Sequence, residues 1–545
     1  MKRRQFIKLT TTASAAGMLP FELQASMKLA NSFYNCDLSN RKLILVELNG
    51  GNDGLNTVIP INGFTDYQTL RPNIHIPSSV YLPLNNLDSN LIGTNQDIAL
   101  HPELTGFYNL YAQDQLRIIQ SVGYPSQNKS HFGSQDIYAT GNDGNNWING
   151  DQSGWIGRFM EQNYNDSIPT TYPLGIQVGS NTTSLGFHGE IEHGLALNLS
   201  GQDSENFYSV LSGLAGEPPN NIPSSDYGTE LQYIIDTDIL SNQYSQVIST
   251  AFNNGANSNT ANYPDTNLAD QLKTVARLIR GGIETKVFMV KLGGFDTHNN
   301  QNQSSGDIQG THSELLNTLS GAIESFMTDL NSDNLADDVL GITFSEFGRK
   351  AKENGSLGTD HGEVAPMFAF GKPVKSGISG INVDLTEAVQ TNNYQLHTIQ
   401  HDYRATFATI MQDFLGAPNS IIDSTFLENV TSESFVSYKI SDLIKLNYIV
   451  PEDCYSEALT IPQNNIDNWT IYPNPFRTSF FVIDRNQIGE TNFELRNQLS
   501  QIVLKGDLKF TNGKTSINAA MLENGMYFLT LKNSVETSSH KIIKY

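Results

Sequence analysis

The stretch VLGITFSEFGRKAKENGSLGTDHGEVAPMFAFG, residues 339–371, decides how this chain is read. It opens on an apolar run, Val339 to Phe344, which has strand length and predicts a buried strand of a parallel sheet. It then delivers Ser345, Glu346 and Arg349, crosses a Gly/Asn-rich loop, presents Asp360-His361-Gly362, and returns through a second apolar run, Met367 to Phe370. Open α/β sheets bind ligands beyond the carboxyl ends of their strands. A carboxylate, an Asp-His pair and an arginine thus fall where such a fold builds a site.

Outward from this stretch the pattern alternates. Strand-like runs occur at 41–49, 116–123, 173–179 and 286–292, and helical periodicity at 101–113, 268–279, 312–330 and 402–415. Alternation of this kind predicts an α/β fold with a mostly parallel sheet flanked by helices. The region from about 200 to 265 is rich in Asn, Ser, Gly and Asp and predicts long loops around one helix, near 224–251.

Several strand ends carry chemistry. Gly50-Gly51-Asn52-Asp53-Gly54 follows the first strand; Asn52 or Asp53 either coordinates a cation through oxygen or simply makes a tight turn. After the 116–123 strand come Ser130 and His131, which read as a nucleophile and a metal or anion contact, or as a helix cap and its neighbour. The strand at 286–292 ends in Gly293-Gly294-Phe295-Asp296-Thr297-His298. An Asp and a His two apart at a strand end can both reach one cation above the sheet edge.

The totals set bounds. A chain of 545 residues is too long for one core, so two or more domains are expected. With 33 basic against 56 acidic residues the net charge is −23, which excludes nucleic acid as the main partner, since phosphate binding needs a basic face. Cys36 and Cys454 allow one disulfide at most. Residues 1–26 have export-signal composition, with a basic head and a short Ala/Thr-rich stretch. The main domain is expected at 40–440 and a linker at 441–466. Short alternating runs from 467 to 545, separated by Gly and Asn turns, predict a small β-sandwich.

Three resemblances add to this. Arg3-Arg4-Gln5-Phe6-Ile7-Lys8 resembles the twin-arginine signal, which implies export in the folded state. The set LNGGNDGLN, NKSHFGSQDIYATG, GGFDTH, SEFGR and GTDHG, in this order between 41 and 416, resembles the family called domain of unknown function 1501. That family is grouped with the alkaline phosphatase and sulfatase superfamily, whose members hydrolyse phosphate or sulfate esters with one or two divalent metals and a Ser, Thr or modified Cys nucleophile. The resemblance implies Asp53 (or Asn52), Asp296 and His298 as ligands and Ser130 near the nucleophile position. It leaves two arrangements for the late ligands: Glu346 with His361, or the pair Asp360 and His361. The first fits better, because the apolar strand runs directly into Glu346. A divalent ion (Zn, Ca, Mg or Mn) is expected, with Arg349 either holding a phosphate or sulfate oxygen or bridging to Glu346 or Asp360. Phe347 stands where the superfamily has a histidine ligand, which implies a site with one cation or a site without activity. Finally, YPNPF, Gly525-Met526-Tyr527-Phe528 and Lys541 to Tyr545 resemble the type A sorting domain of the type IX secretion system. That implies passage through the outer membrane by the type IX machinery, and a secreted or surface-attached product.

Overall fold

The computed structural model describes most of residues 37–455 and 469–544; residues 1–36, 198–243, 256–260, 427–437, 456–468 and several shorter runs lie outside the described residues. The twin-arginine pattern and most of the helix expected near 224–251 fall in those excluded runs. The chain divides into two compact units, Met1–Ser456 and Glu457–Tyr545.

The described strands of the first unit are, in chain order, β1 (Lys42–Asn49), β2 (Val58–Pro60), β3 (Leu82–Pro83), β4 (Ile98–Leu100), β5 (Leu116–Gly123), β6 (Gly175–Val178), β7 (Leu195–Leu197), β8 (Val287–Gly293), β9 (Val339–Phe344), β10 (Ala365–Phe370), β11 (Gly377–Ser379) and β12 (His401–Asp402). Nine of them make one sheet in the order β11-β5-β10-β9-β1-β8-β6-β7, with β12 beside β5; β2, β4 and β3 make a small separate sheet. In the large sheet β10 alone runs against its neighbours, β5 and β9. The reason lies in the connection. Residues 345–364 contain no crossover helix, so the chain re-enters the sheet at the edge where β9 left it. The second apolar run of the opening stretch is therefore an antiparallel strand in an otherwise parallel sheet.

Helices cover the sheet, among them α1 (Thr105–Ala112), α2 (His131–Thr140), α3 (Asn267–Arg280), α4 (Thr311–Ser332) and α5 (Tyr403–Asp413). In β1, Leu43, Ile44, Leu45, Val46 and Leu48 are all buried, which is why the strand reads as a near-continuous apolar run. Helix α4 turns Leu316, Leu319, Ile323, Phe326 and Leu330 inward at the spacing of an amphipathic helix and joins the same core. Asp402 caps α5, its side chain accepting from Arg404 N–H. Cys454 is disulfide-bonded. Among the described residues no helix is long and apolar enough to cross a membrane.

The second unit is all β: β13 (Trp469–Tyr472), β14 (Ser479–Asp484), β15 (Thr491–Asn497), β16 (Ile502–Leu508), β17 (Lys514–Asn518), β18 (Gly525–Lys532) and β19 (Thr537–Lys544). They form two antiparallel sheets, β13-β14-β17 and β16-β15-β18-β19. Trp469, Phe480, Val482, Leu495, Leu529, Leu531 and Ile542 close one core. This is the small sandwich that the alternating runs predict.

Candidate metal centre

Strands β1, β8 and β9 are parallel neighbours, so their carboxyl ends share one edge. From that edge β1 delivers Gly50 to Asp53, β8 delivers Asp296 and His298, and β9 delivers Ser345 and Glu346. Gly50 has φ +123°, and a Cβ there would lie 2.3 Å from the Asp296 backbone nitrogen; glycine is needed for the two turns to touch. Helix α2 starts at the same edge, with Ser130 as its N-cap and His131 as its first residue. The excursion 345–364 folds over the edge as a hairpin, tied by Lys350 N–H to Asp360 O (3.0 Å) and Gly362 N–H to Gly348 O (2.8 Å).

This arrangement gathers three imidazoles around one carboxylate. His298 Nε2 and His361 Nε2 are 3.0 Å apart. Asp296 Oδ1 lies 3.2 Å from His361 Nε2 and 3.3 Å from His298 Nε2, and Asp296 Oδ2 lies 3.5 Å from His131 Nε2. One ligand atom each from His131, Asp296 and His361 falls within 4.8 Å of the others. A tetrahedral ion with bonds of about 2.0–2.1 Å has donor–donor edges of about 3.3 Å. The observed separations match that spacing.

The outward-facing ring nitrogens are all engaged. His131 Nδ1 meets Glu346 Oε1 at 2.8 Å, His361 Nδ1 meets the Lys129 carbonyl at 2.8 Å, and His298 Nδ1 meets Asp360 Oδ1 at 3.3 Å. An acceptor at Nδ1 places the proton there and turns the bare Nε2 lone pair inward, the arrangement that orients metal-ligating histidines. Three lone pairs and a carboxylate then face one another. His131 Nε2 is buried and makes no hydrogen bond. A cation resolves this repulsion, so the residues fit a divalent ion.

A second layer holds these donors. Arg349 is fully buried and donates to the carbonyls of Gly51 (2.8 Å), Thr359 (2.7 Å), Phe295 (2.9 Å) and Gly50, and to Asp296 Oδ1 (2.8 Å). Burial works against the charged Asp296 carboxyl, but the Arg349 guanidinium outweighs it and holds it down at about 2. Glu346 is buried and also accepts Gly50 N–H at 2.9 Å. Replacing Glu346 with Gln swaps the acceptor for a neutral amide, and metal affinity is expected to fall roughly 10- to 100-fold with the fold intact. Chelator competition on the variant checks this; unchanged affinity would deny Glu346 its orienting role.

Asp53 sits beneath the cluster. Both its oxygens take the Arg71 guanidinium (2.5 and 2.8 Å), and Gln301 Nε2 donates to Oδ2 at 2.5 Å. Gln301 Oε1 in turn accepts from Thr297 and Thr359, and Arg71 donates to the Lys350 and Ala351 carbonyls. This network joins the turns after β1 and β8 to the hairpin. Burial pushes the Asp53 carboxyl up, but Arg71 more than offsets it and keeps the group below its usual range.

The same layer contains a pH dependence. His312 on α4 is buried against Asn52 Oδ1 (3.1 Å), and burial lowers its pKa from 6.5 to about 4. Between those values the unfolded chain binds a proton that the folded chain does not. Stability is therefore expected to fall as pH drops from 6.5 toward 4, by on the order of 3 kcal/mol in all. Denaturant midpoints of wild type and His312→Gln at pH 7 and pH 5 test this; equal acid sensitivity in both would rule out His312 as the source.

Of the residues singled out in the sequence, the fold brings together His131, Asp296, His298 and His361. Glu346 and Asp360 stand one layer out, holding His131 and His298, while Arg349 spends its donors on backbone and Asp296. Ser130 is exposed, and its side chain makes no cap hydrogen bond. Phe347 is buried with its ring 4.9 Å from His131 and 4.5 Å from His361, packing against the imidazoles. Arg71 and Gln301 carry no local sequence signal.

Fold and site define a mostly parallel α/β protein with a candidate metal centre at the carboxyl edge of its sheet. Residues 246–421 match the family model described as protein of unknown function (DUF1501), and residues 470–545 match the secretion system C-terminal sorting domain. The sorting domain marks a protein exported by the type IX machinery and secreted or held at the cell surface. No curated protein matches the chain. Similar solved structures include an alkaline phosphatase superfamily protein from Vibrio parahaemolyticus, at 9% identity over 82% of this chain and 75% of that one, with a TM-score of 0.26. The PsFucS1 sulfatase from Pseudoalteromonas sp. is similar at 9% identity over 92% and 89%, with a TM-score of 0.29. The alkaline phosphatase from the Antarctic bacterium TAB5 is similar at 12% identity over 62% and 95%, with a TM-score of 0.23. At these values the likeness says nothing of activity.

Proposed function

We propose that this protein is an exported, metal-dependent hydrolase of phosphate or sulfate esters. The observation that carries the reading is the set of inward Nε2 atoms of His131, His298 and His361 around Asp296. A nitrogen-rich set suits zinc or another transition ion better than calcium or magnesium, which prefer oxygen. Such an ion, when bound, supplies Lewis acidity toward an ester oxygen. The chain's own residues do the rest. Glu346 and Asp360 fix two ring orientations, and Arg349 fixes Asp296. Phe347 and Glu346 close the inner side, while the side chains of Asp296 and His298, 47% and 43% exposed, leave the outer side open to substrate. Ser130, at the positive end of α2, is the nucleophile we assign. The motif resemblance and the sorting domain agree with this reading.

Assays of metal-loaded full-length protein with p-nitrophenyl phosphate and p-nitrophenyl sulfate test it. Hydrolysis of one ester, lost in Ser130→Ala with metal content unchanged, is the expected result. No hydrolysis of either by metal-loaded protein would favour a second reading, a non-catalytic metal-binding surface protein. One observation favours that reading: four protein donors can fill a tetrahedral ion, and catalytic centres keep a position open.

A further inference from the structure

A second polar cavity lies at the flank of the sheet, between β11, β12 and the segment after residue 437. Its volume is about 380 Å³, in the range of small-ligand sites, and it shares no lining residue with the metal cluster. Arg117 on β5 lines it and is 7% exposed. Its Nε donates to Ser379 Oγ at 2.7 Å, and Nη1 approaches the Lys375 carbonyl at 3.5 Å. Nη2 makes no hydrogen bond to the described residues, and no described carboxylate comes within ion-pair distance of the guanidinium. The acid that acts on it, Asp442, is paired with Lys375 at 2.9 Å. Gly377, at φ +146°, passes so closely that a Cβ would lie 2.9 Å from Nη1. Beside the guanidinium, the partly buried His401 ring lies against the Ser379 backbone. The other charges on the wall are satisfied: Asp402 by Arg404 (2.7 Å) and Lys439 by Asp413 (2.5 Å).

A buried cation without an adjacent anion is costly. An oxyanion in the cavity would pair with the guanidinium, with the His401 ring beside it. We propose that this cavity is a binding site for a small oxyanion, a carboxylate, sulfate or phosphate group, held by Arg117 and His401. Arginine's fork matches all three groups. The proposal stands apart from the hydrolase reading.

Isothermal titration of full-length protein with sodium acetate, sulfate and phosphate at fixed ionic strength tests it. One saturable site for at least one of these anions is expected, weakened about tenfold or more by Arg117→Gln and by His401→Ala. It should persist in His361→Ala, which disables the metal cluster. The ion preferred tells a carboxylate ligand from a tetrahedral one. If Arg117→Gln does not fold, His401→Ala carries the test. Absence of saturable binding for all three ions, equal affinity in the variants, or loss of binding in His361→Ala would overturn the proposal.

Discussion

Replacing His361 with alanine is expected to strip the protein of its divalent ion while leaving the fold in place. His361 Nε2 stands within 3.2 Å of both His298 Nε2 and Asp296 Oδ1, so its removal opens the tightest part of the donor set. A structural zinc ion gains about 10–16 kcal/mol from its ligands together, so losing one of four should cost affinity roughly 100-fold or more. The side chain is partly exposed, and its Nδ1 partner is a backbone carbonyl that water can satisfy. Metal content after dialysis against a chelator reads the result directly. Retention of metal at wild-type affinity would place the ion elsewhere.

The second large effect concerns stability. Arg71→Met leaves the Asp53 carboxylate buried, with only Gln301 and no counter-charge. Breaking a fully buried pair by removing one partner costs about 3–5 kcal/mol, because an uncompensated charge stays inside. Arg71 also donates to Lys350 and Ala351 carbonyls, so the hairpin carrying His361 loosens with it. Denaturant unfolding is expected to show this loss, and Arg71→Met combined with Asp53→Asn should recover part of it. A loss below about 1 kcal/mol would mean that the pair does not anchor the hairpin.

Much of the fold is legible in the sequence because its signals are local. The apolar runs of β1 and β8 end in two glycines and then an acid, that of β9 runs into Glu346, that of β5 ends in Gly123, and helix periodicity separates them. The antiparallel direction of β10 is harder to see, since it depends on how residues 345–364 cross the edge. The site is legible in part. Asp296-Thr297-His298 shows itself at the end of β8, and His361 stands out in its Asp-His-Gly setting. Roles are less visible than positions. In sequence Glu346 and Asp360 read as ligands; in the fold they face the Nδ1 atoms of His131 and His298. A carboxylate that binds an ion and one that steers a histidine look alike until distances separate them. His131 reads as a nucleophile or as a metal or anion contact, and only the start of α2 at the sheet edge, which aims its Nε2 at Asp296, separates these roles. Asp53 reads as a ligand because its partner Arg71 lies in a loop that no periodicity connects to it.

Anomalous diffraction at the zinc edge, from crystals of full-length protein supplied with zinc, locates the ion. One strong peak is expected about 2.0–2.2 Å from the Nε2 atoms of His131 and His361 and from Asp296, with His298 Nε2 in the same shell or just outside it. A crystal with zinc bound only elsewhere, and these four side chains unchanged around ordered water, would contradict it.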